Sequence, residues 1–89
     1  MGTAAAEAEL RAGARDVHDW SNAPGHIYAR HSHSYTKVLV CVRGSIEFRV
    51  AGGRIIALGP GDRMVLPPGT VHSAVVGPGG CTCVEGKLS

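Results

Sequence analysis

No apolar run in this sequence is long. The longest, Val38–Val42, falls far short of the roughly 20 residues a helix needs to cross a bilayer. The N-terminus is rich in Ala, but Glu7, Glu9 and Arg11 interrupt it, so it lacks the apolar centre of a secretory signal. Aromatic residues make up only 4% and form no pattern with a basic stripe. The net charge of +2 is too small to argue for nucleic acid or an anionic membrane surface, and charged residues, at 18%, lack the excess of a disordered segment. Cysteine is scarce and unpaired: the three residues are an odd number, and none forms a C-x-x-C. Cys81 and Cys83 are one residue apart, a spacing seldom bridged within a chain. All three read as reduced thiols in a reducing compartment, and a cytoplasmic location is expected. No internal repeat of useful length is visible.

What is present suits one small globular domain: 89 residues, 44% of them apolar. A core of that size is only marginally sufficient alone, so a homodimer is expected. Residues 3–12 are strong helix formers with Gly13 as a C-terminal stop, and residues 1–14 are read as an N-terminal helix or a flexible tail. Residues 15–89 are read as a single β domain. Strands are expected over 15–20, 26–30, 36–42, 45–50, 54–58, 63–66, 71–76 and 81–85. Turns are expected at Asn22–Gly25, Arg43-Gly44, Ala51–Gly53, Gly59–Gly61, Pro67–Gly69 and Gly77–Gly80. Many short strands separated by Gly/Pro turns argue for an all-β barrel or sandwich.

The chemistry centres on His31-Ser-His33. Alternation along an extended chain puts both rings on one face, and continuing the parity puts Lys37, Leu39 and Cys41 there too. Two imidazoles two residues apart can both ligate a transition metal. His-x-His alone is weak, since short histidine patterns are common by chance. His18 and His26 have no partner at ligand spacing and read as ordinary surface or edge residues. Cys41, Cys81 and Cys83 read as small buried hydrophobes. Tyr35, beside the histidine pair, can either reach a ligand or simply pack.

The spacing resembles the cupin superfamily. Its first motif, G-x5-H-x-H-x3,4-E-x6-G, aligns with Gly25, His31, His33, Lys37 and Gly44. Its second, G-x5-P-x-G-x2-H-x3-N, aligns with Gly61, Pro67, Gly69, His72 and Val76. The resemblance implies a double-stranded β-helix, or jelly-roll barrel, often dimeric, with a short N-terminal helix added here. It also implies a divalent transition metal (Fe, Mn, Ni, Cu or Zn) held by His31, His33 and His72. Two positions depart: Lys37 stands where the family has a metal-binding glutamate, and Val76 where it has asparagine.

Lys37 leaves three outcomes open. It can be neutral and serve as a fourth ligand or a base beside the metal. It can swing aside and pair with a carboxylate, with Glu85 the candidate if the last strand turns that face inward. Or it can bind an anionic ligand in a pocket without metal. Two functional readings follow. One is a metal-dependent enzyme acting on a small molecule, such as a dioxygenase, isomerase or lyase. The other is a non-catalytic sensor barrel for a small molecule or anion, with Lys37 in the pocket.

Overall fold

The computed structural model describes residues 2–88 and contains one helix and six strands. Met1 and Ser89, the ends of the two expected segments, lie outside the described residues. Helix α1 spans Thr3–Arg11, followed by β1 (Arg15–Asn22), β2 (Ile27–His31), β3 (Lys37–Val50), β4 (Arg54–Leu58), β5 (Arg63–Leu66) and β6 (His72–Lys87). All strand pairs are antiparallel.

Two long strands, β3 and β6, carry the architecture. They pair with each other along almost their whole length, from Lys37 opposite Lys87 to Val50 opposite His72. The first half of β3 also pairs with β5, and the second half of β6 with β1. The second half of β3 pairs with β4, and the first half of β6 with β2. Each long strand therefore contributes one half to the order β5-β3-β6-β1 and the other half to β4-β3-β6-β2, which is the double-stranded β-helix.

The alternation of side chains then sorts the core. Leu39, Cys41, Ile46, Phe48, Leu58, Met64, Leu66, Ala74, Val76, Cys81 and Cys83 fill the barrel interior. The opposite face of the first half of β3 carries Val38, Val40 and Val42, which meet Val84, Ala6 and Leu10 beneath α1. The helix is thus a cover for one outer face. Its Leu10 and Ala6 are buried, and its Glu9 pairs with Arg63 on β5.

The structure corrects two expected turns. Arg43-Gly44 does not end a strand, and neither does Gly77–Gly80; β3 and β6 run through both. The register slips between Cys41 and Arg43 and again between Gly44 and Ile46. These are bulges that bend a continuous ribbon. Gly44 is required at the bend: its φ is +73°, and a Cβ there would lie 2.0 Å from the Gly80 carbonyl oxygen. The expected strand at Val71 starts at His72, and the helix ends at Arg11, one residue before the expected limit.

Candidate metal centre

His31 is the last residue of β2, His72 the first of β6, and the two are partners in the strand register. His33 lies in the loop before β3. That loop is tied to the Pro67–Gly69 turn, because the Gly69 N–H donates to the His33 carbonyl at 2.8 Å. The three rings therefore converge from segments far apart in sequence. Ring centroids are 4.3 Å apart for His31 and His72, 4.9 Å for His31 and His33, and 5.2 Å for His33 and His72. One ligand nitrogen from each ring lies within 4.8 Å of the others.

The backbone fixes which nitrogen each ring presents. His31 Nδ1 lies 2.6 Å from the Ala29 carbonyl and His72 Nδ1 2.9 Å from the Thr70 carbonyl. A carbonyl only accepts, so Nδ1 carries the proton in both rings and Nε2 keeps its lone pair. His72 is 2% exposed, and its Nε2 is the one buried side-chain nitrogen or oxygen with no hydrogen-bond partner among the described residues. An orphaned buried acceptor costs about 1–3 kcal/mol, so it asks for an occupant. An imidazole lone pair aimed at two further imidazoles fits a transition metal ion.

Electrostatics points the same way. Burial lowers the His33 pKa, and the Lys37 ammonium and the neighbouring imidazoles lower it further. Burial also lowers that of His72, with His31 and Lys37 adding to the effect against the Thr70 carbonyl. Both rings are therefore held in the neutral form that donates to a metal.

The rings open into a cavity of about 310 Å³, whose walls include Trp20, Tyr28, Phe48, Lys37 and Glu85 as well as His18. Lys37 is 8% exposed, and its Nζ pairs with Glu85 Oε1 at 3.2 Å. The Trp20 indole donates to the same oxygen at 2.7 Å. Glu85 therefore does face inward, while Val84 faces the helix. His18 is exposed, in keeping with its reading as a surface or edge residue, and it also lines the cavity wall opposite Glu85 in the β1–β6 register. A bulge between Arg15 and His18 shifts that register, and sequence parity gave no sign of it. Tyr28 was also missed; it packs edge-on to Trp20 at 5.8 Å, and its hydroxyl donates to Asn22. Tyr35 is no part of the cavity wall: it packs against His33, with Lys87 Nζ 4.6 Å above its ring. His26 is exposed and packs against Tyr28 outside the triad. The three cysteines are buried and unbridged, and burial raises each thiol above its ordinary range.

Similar proteins share this fold. The sequence profile of the AraC-like ligand binding domain matches residues 17–84. No curated protein matches the chain. Among solved structures, the chain is similar to an uncharacterized conserved protein with a double-stranded β-helix domain from Klebsiella pneumoniae. Identity there is 29% and the TM-score 0.70, over 80% of this chain and 64% of that one. It is similar also to an RmlC-like cupin from Shewanella frigidimarina, with 26% identity and a TM-score of 0.71 over 82% of this chain and 65% of that one. A DMSP lyase from Ruegeria pomeroyi shares the fold, with 22% identity and a TM-score of 0.75 over 82% of this chain and 37% of that one. The chain thus spans less than two thirds of the length of each of these three structures. The motifs, the barrel and the profile match together show that the chain belongs to the family of AraC-like ligand-binding domains of cupin type.

Proposed function

We propose that His31, His33 and His72 hold a divalent transition metal and that the cavity beside it receives a small molecule. The observation that carries this reading is the buried, unpartnered Nε2 of His72, aimed at the other two imidazoles. A metal held by three protein ligands keeps open coordination positions, where it would act as a Lewis acid toward a bound small molecule. The protein's own part is to fix the rings through the Ala29 and Thr70 carbonyls and to wall the cavity with Trp20, Tyr28 and Phe48. Fe, Mn, Ni, Cu and Zn all accept imidazole, so the donor set does not single out one of them.

The fourth position of the family motif carries no base in this reading. An amine paired with Glu85 is neither a ligand nor a proton acceptor, so we assign Lys37 no catalytic role. A dioxygenase, isomerase or lyase reaction would then depend on the metal and on groups of the substrate itself. The second reading, a non-catalytic small-molecule sensor, is favoured by the lack of a free base at Lys37 and by the ligand-binding description of the family, while the pairing with Glu85 speaks against an anion as its ligand. We further propose a homodimer in a reducing, cytoplasmic setting. The exposed Ile27 and Ile55 on the outer face away from α1 support the dimer, and the three unbridged thiols support the setting.

Metal analysis of protein purified without an affinity tag tests the centre. Near-stoichiometric metal is expected, lost on His33→Ala. Wild-type protein that arrives empty and takes up none of the five metals contradicts the reading. Binding of small carboxylates and phenols to the loaded protein, without turnover, would favour the sensor over the enzyme.

A further inference from the structure

Lys37 and Glu85 are the observation that the metal reading does not absorb. An ammonium that is 8% exposed lines the same cavity as three metal-ready imidazoles. A dication and an ammonium would repel there, the more so because Lys37 and His72 are buried. The carboxylate that offsets it comes from a different strand from the one the motif uses. Glu85 on β6 is the register partner of Leu39, which makes it the diagonal neighbour of Lys37 on the inward face of β3. Trp20 on β1 donates its indole N–H to Glu85 Oε1 at 2.7 Å, and Lys37 Nζ meets that oxygen at 3.2 Å. Three adjacent strands thus supply a donor, a carboxylate and an amine in one row.

We propose that Glu85, held by Trp20, is a positioning residue that sets the metal affinity of the three-histidine centre by neutralising Lys37 and holding its amine off the rings. The role rests on the metal reading. The Lys37–Glu85 pair stands where the motif has a single glutamate: one carboxylate and one cation together add no net charge to the centre, where that glutamate would add one negative charge. Removing the carboxylate leaves a cation facing the metal. Removing the lysine leaves a carboxylate facing it. The two changes act in opposite directions on metal affinity and cancel when combined, whereas damage to a merely structural contact would weaken binding in every variant.

Calorimetric titration of zinc chloride into tag-free, chelator-treated protein tests this. Glu85→Gln is expected to weaken Zn²⁺ binding about tenfold or more, and Lys37→Met to tighten it by roughly threefold or more. The double variant should return close to wild type. Trp20→Phe, which keeps the ring and deletes the donor, should weaken binding less than Glu85→Gln does. Opposed shifts that cancel support the role. Shifts of the same sign, or none beyond about twofold, overturn it. If Glu85→Gln fails to fold, the comparison of Lys37→Met with the double variant decides: a gain present in the first and lost in the second supports the role, and equal affinities overturn it. Wild-type protein that binds no zinc or other metal overturns the metal reading itself, and this role with it. Wild-type protein that binds while the variants show no opposed shifts overturns this role alone.

Discussion

At the scale of residues, His72 is the most informative position. Its Nδ1 is spent on the Thr70 carbonyl, and its Nε2 is buried without a partner. Replacing it with Ala removes the deepest of the three proposed ligands, so metal content should fall below a tenth of wild type while the barrel still folds; metal analysis and circular dichroism check both parts. Protons compete for the same lone pairs. The folded-state pKa values of His33 and His72 are lowered, chiefly by burial, so between the folded and unfolded values the unfolded chain binds more protons. Stability is therefore full above the ordinary histidine value of about 6.5 and is lost as pH falls through the folded values. Chelator-treated protein should melt at a lower temperature at pH 5 than at pH 7.5. A melting temperature that rises on acidification would contradict the sign. The three convergent histidines were legible in the sequence because each sits at a fixed spacing within its own motif. Glu85 was legible only as one candidate partner for Lys37, because its direction depends on how β6 sits against α1, and the place of His18 in the cavity wall was not, because it depends on a bulge in β1. Neither feature leaves a signal in the residues around it.

At the scale of elements, the two long strands decide the fold. Arg43-Gly44 and Gly77–Gly80 have turn composition, and a bulge within a strand and a turn between strands use the same residues for the same reason, a left-handed or crowded backbone. Only the partner strand tells them apart, and here each bend faces the other across the β3–β6 ladder. Gly44→Ala combines a positive φ with a backbone overlap and should destabilise by about 2 kcal/mol or more, seen in urea unfolding. The shorter strands β4 and β5 fall at the expected residues, since clean turn signals bound them on both sides. Helix α1 is the second dependent element. It has no side-chain cap at its N-terminus and is too short to be stable alone, so it is held by Ala6 and Leu10 over Val38, Val40, Val42 and Val84. Leu10→Ala should cost about 2 kcal/mol or more and loosen protection of the helix amides in hydrogen exchange, leaving metal content unchanged. Equal loss of metal would show that the helix supports the centre as well as the outer face.

At the scale of the whole molecule, the barrel has one outer face covered by α1 and one bare. Ile27 and Ile55, 72% and 60% exposed, lie on the bare side. Light scattering should give a mass near twice that of the chain, and Ile27→Glu should shift it toward the monomer. Among the described residues, no helix is long and apolar enough to cross a membrane. The barrel was legible in the sequence through its strands and turns, and the cavity was not, because it is the joint product of inward residues from four strands and a loop. A metal bound between the three rings would couple the site to the fold. An ion at a hundred times its dissociation constant adds about 2.7 kcal/mol, and in a domain this small each kcal/mol is worth roughly 4–8 °C. Chelation should therefore lower the melting temperature by about 10 °C or more. The central claim is most directly tested by anomalous diffraction from crystals of tag-free protein soaked in zinc or manganese. The expected result is one anomalous peak within about 2.2 Å of His72 Nε2 and shared with His31 and His33. A map with no peak between the rings, and His72 Nε2 bonded to water, would contradict it.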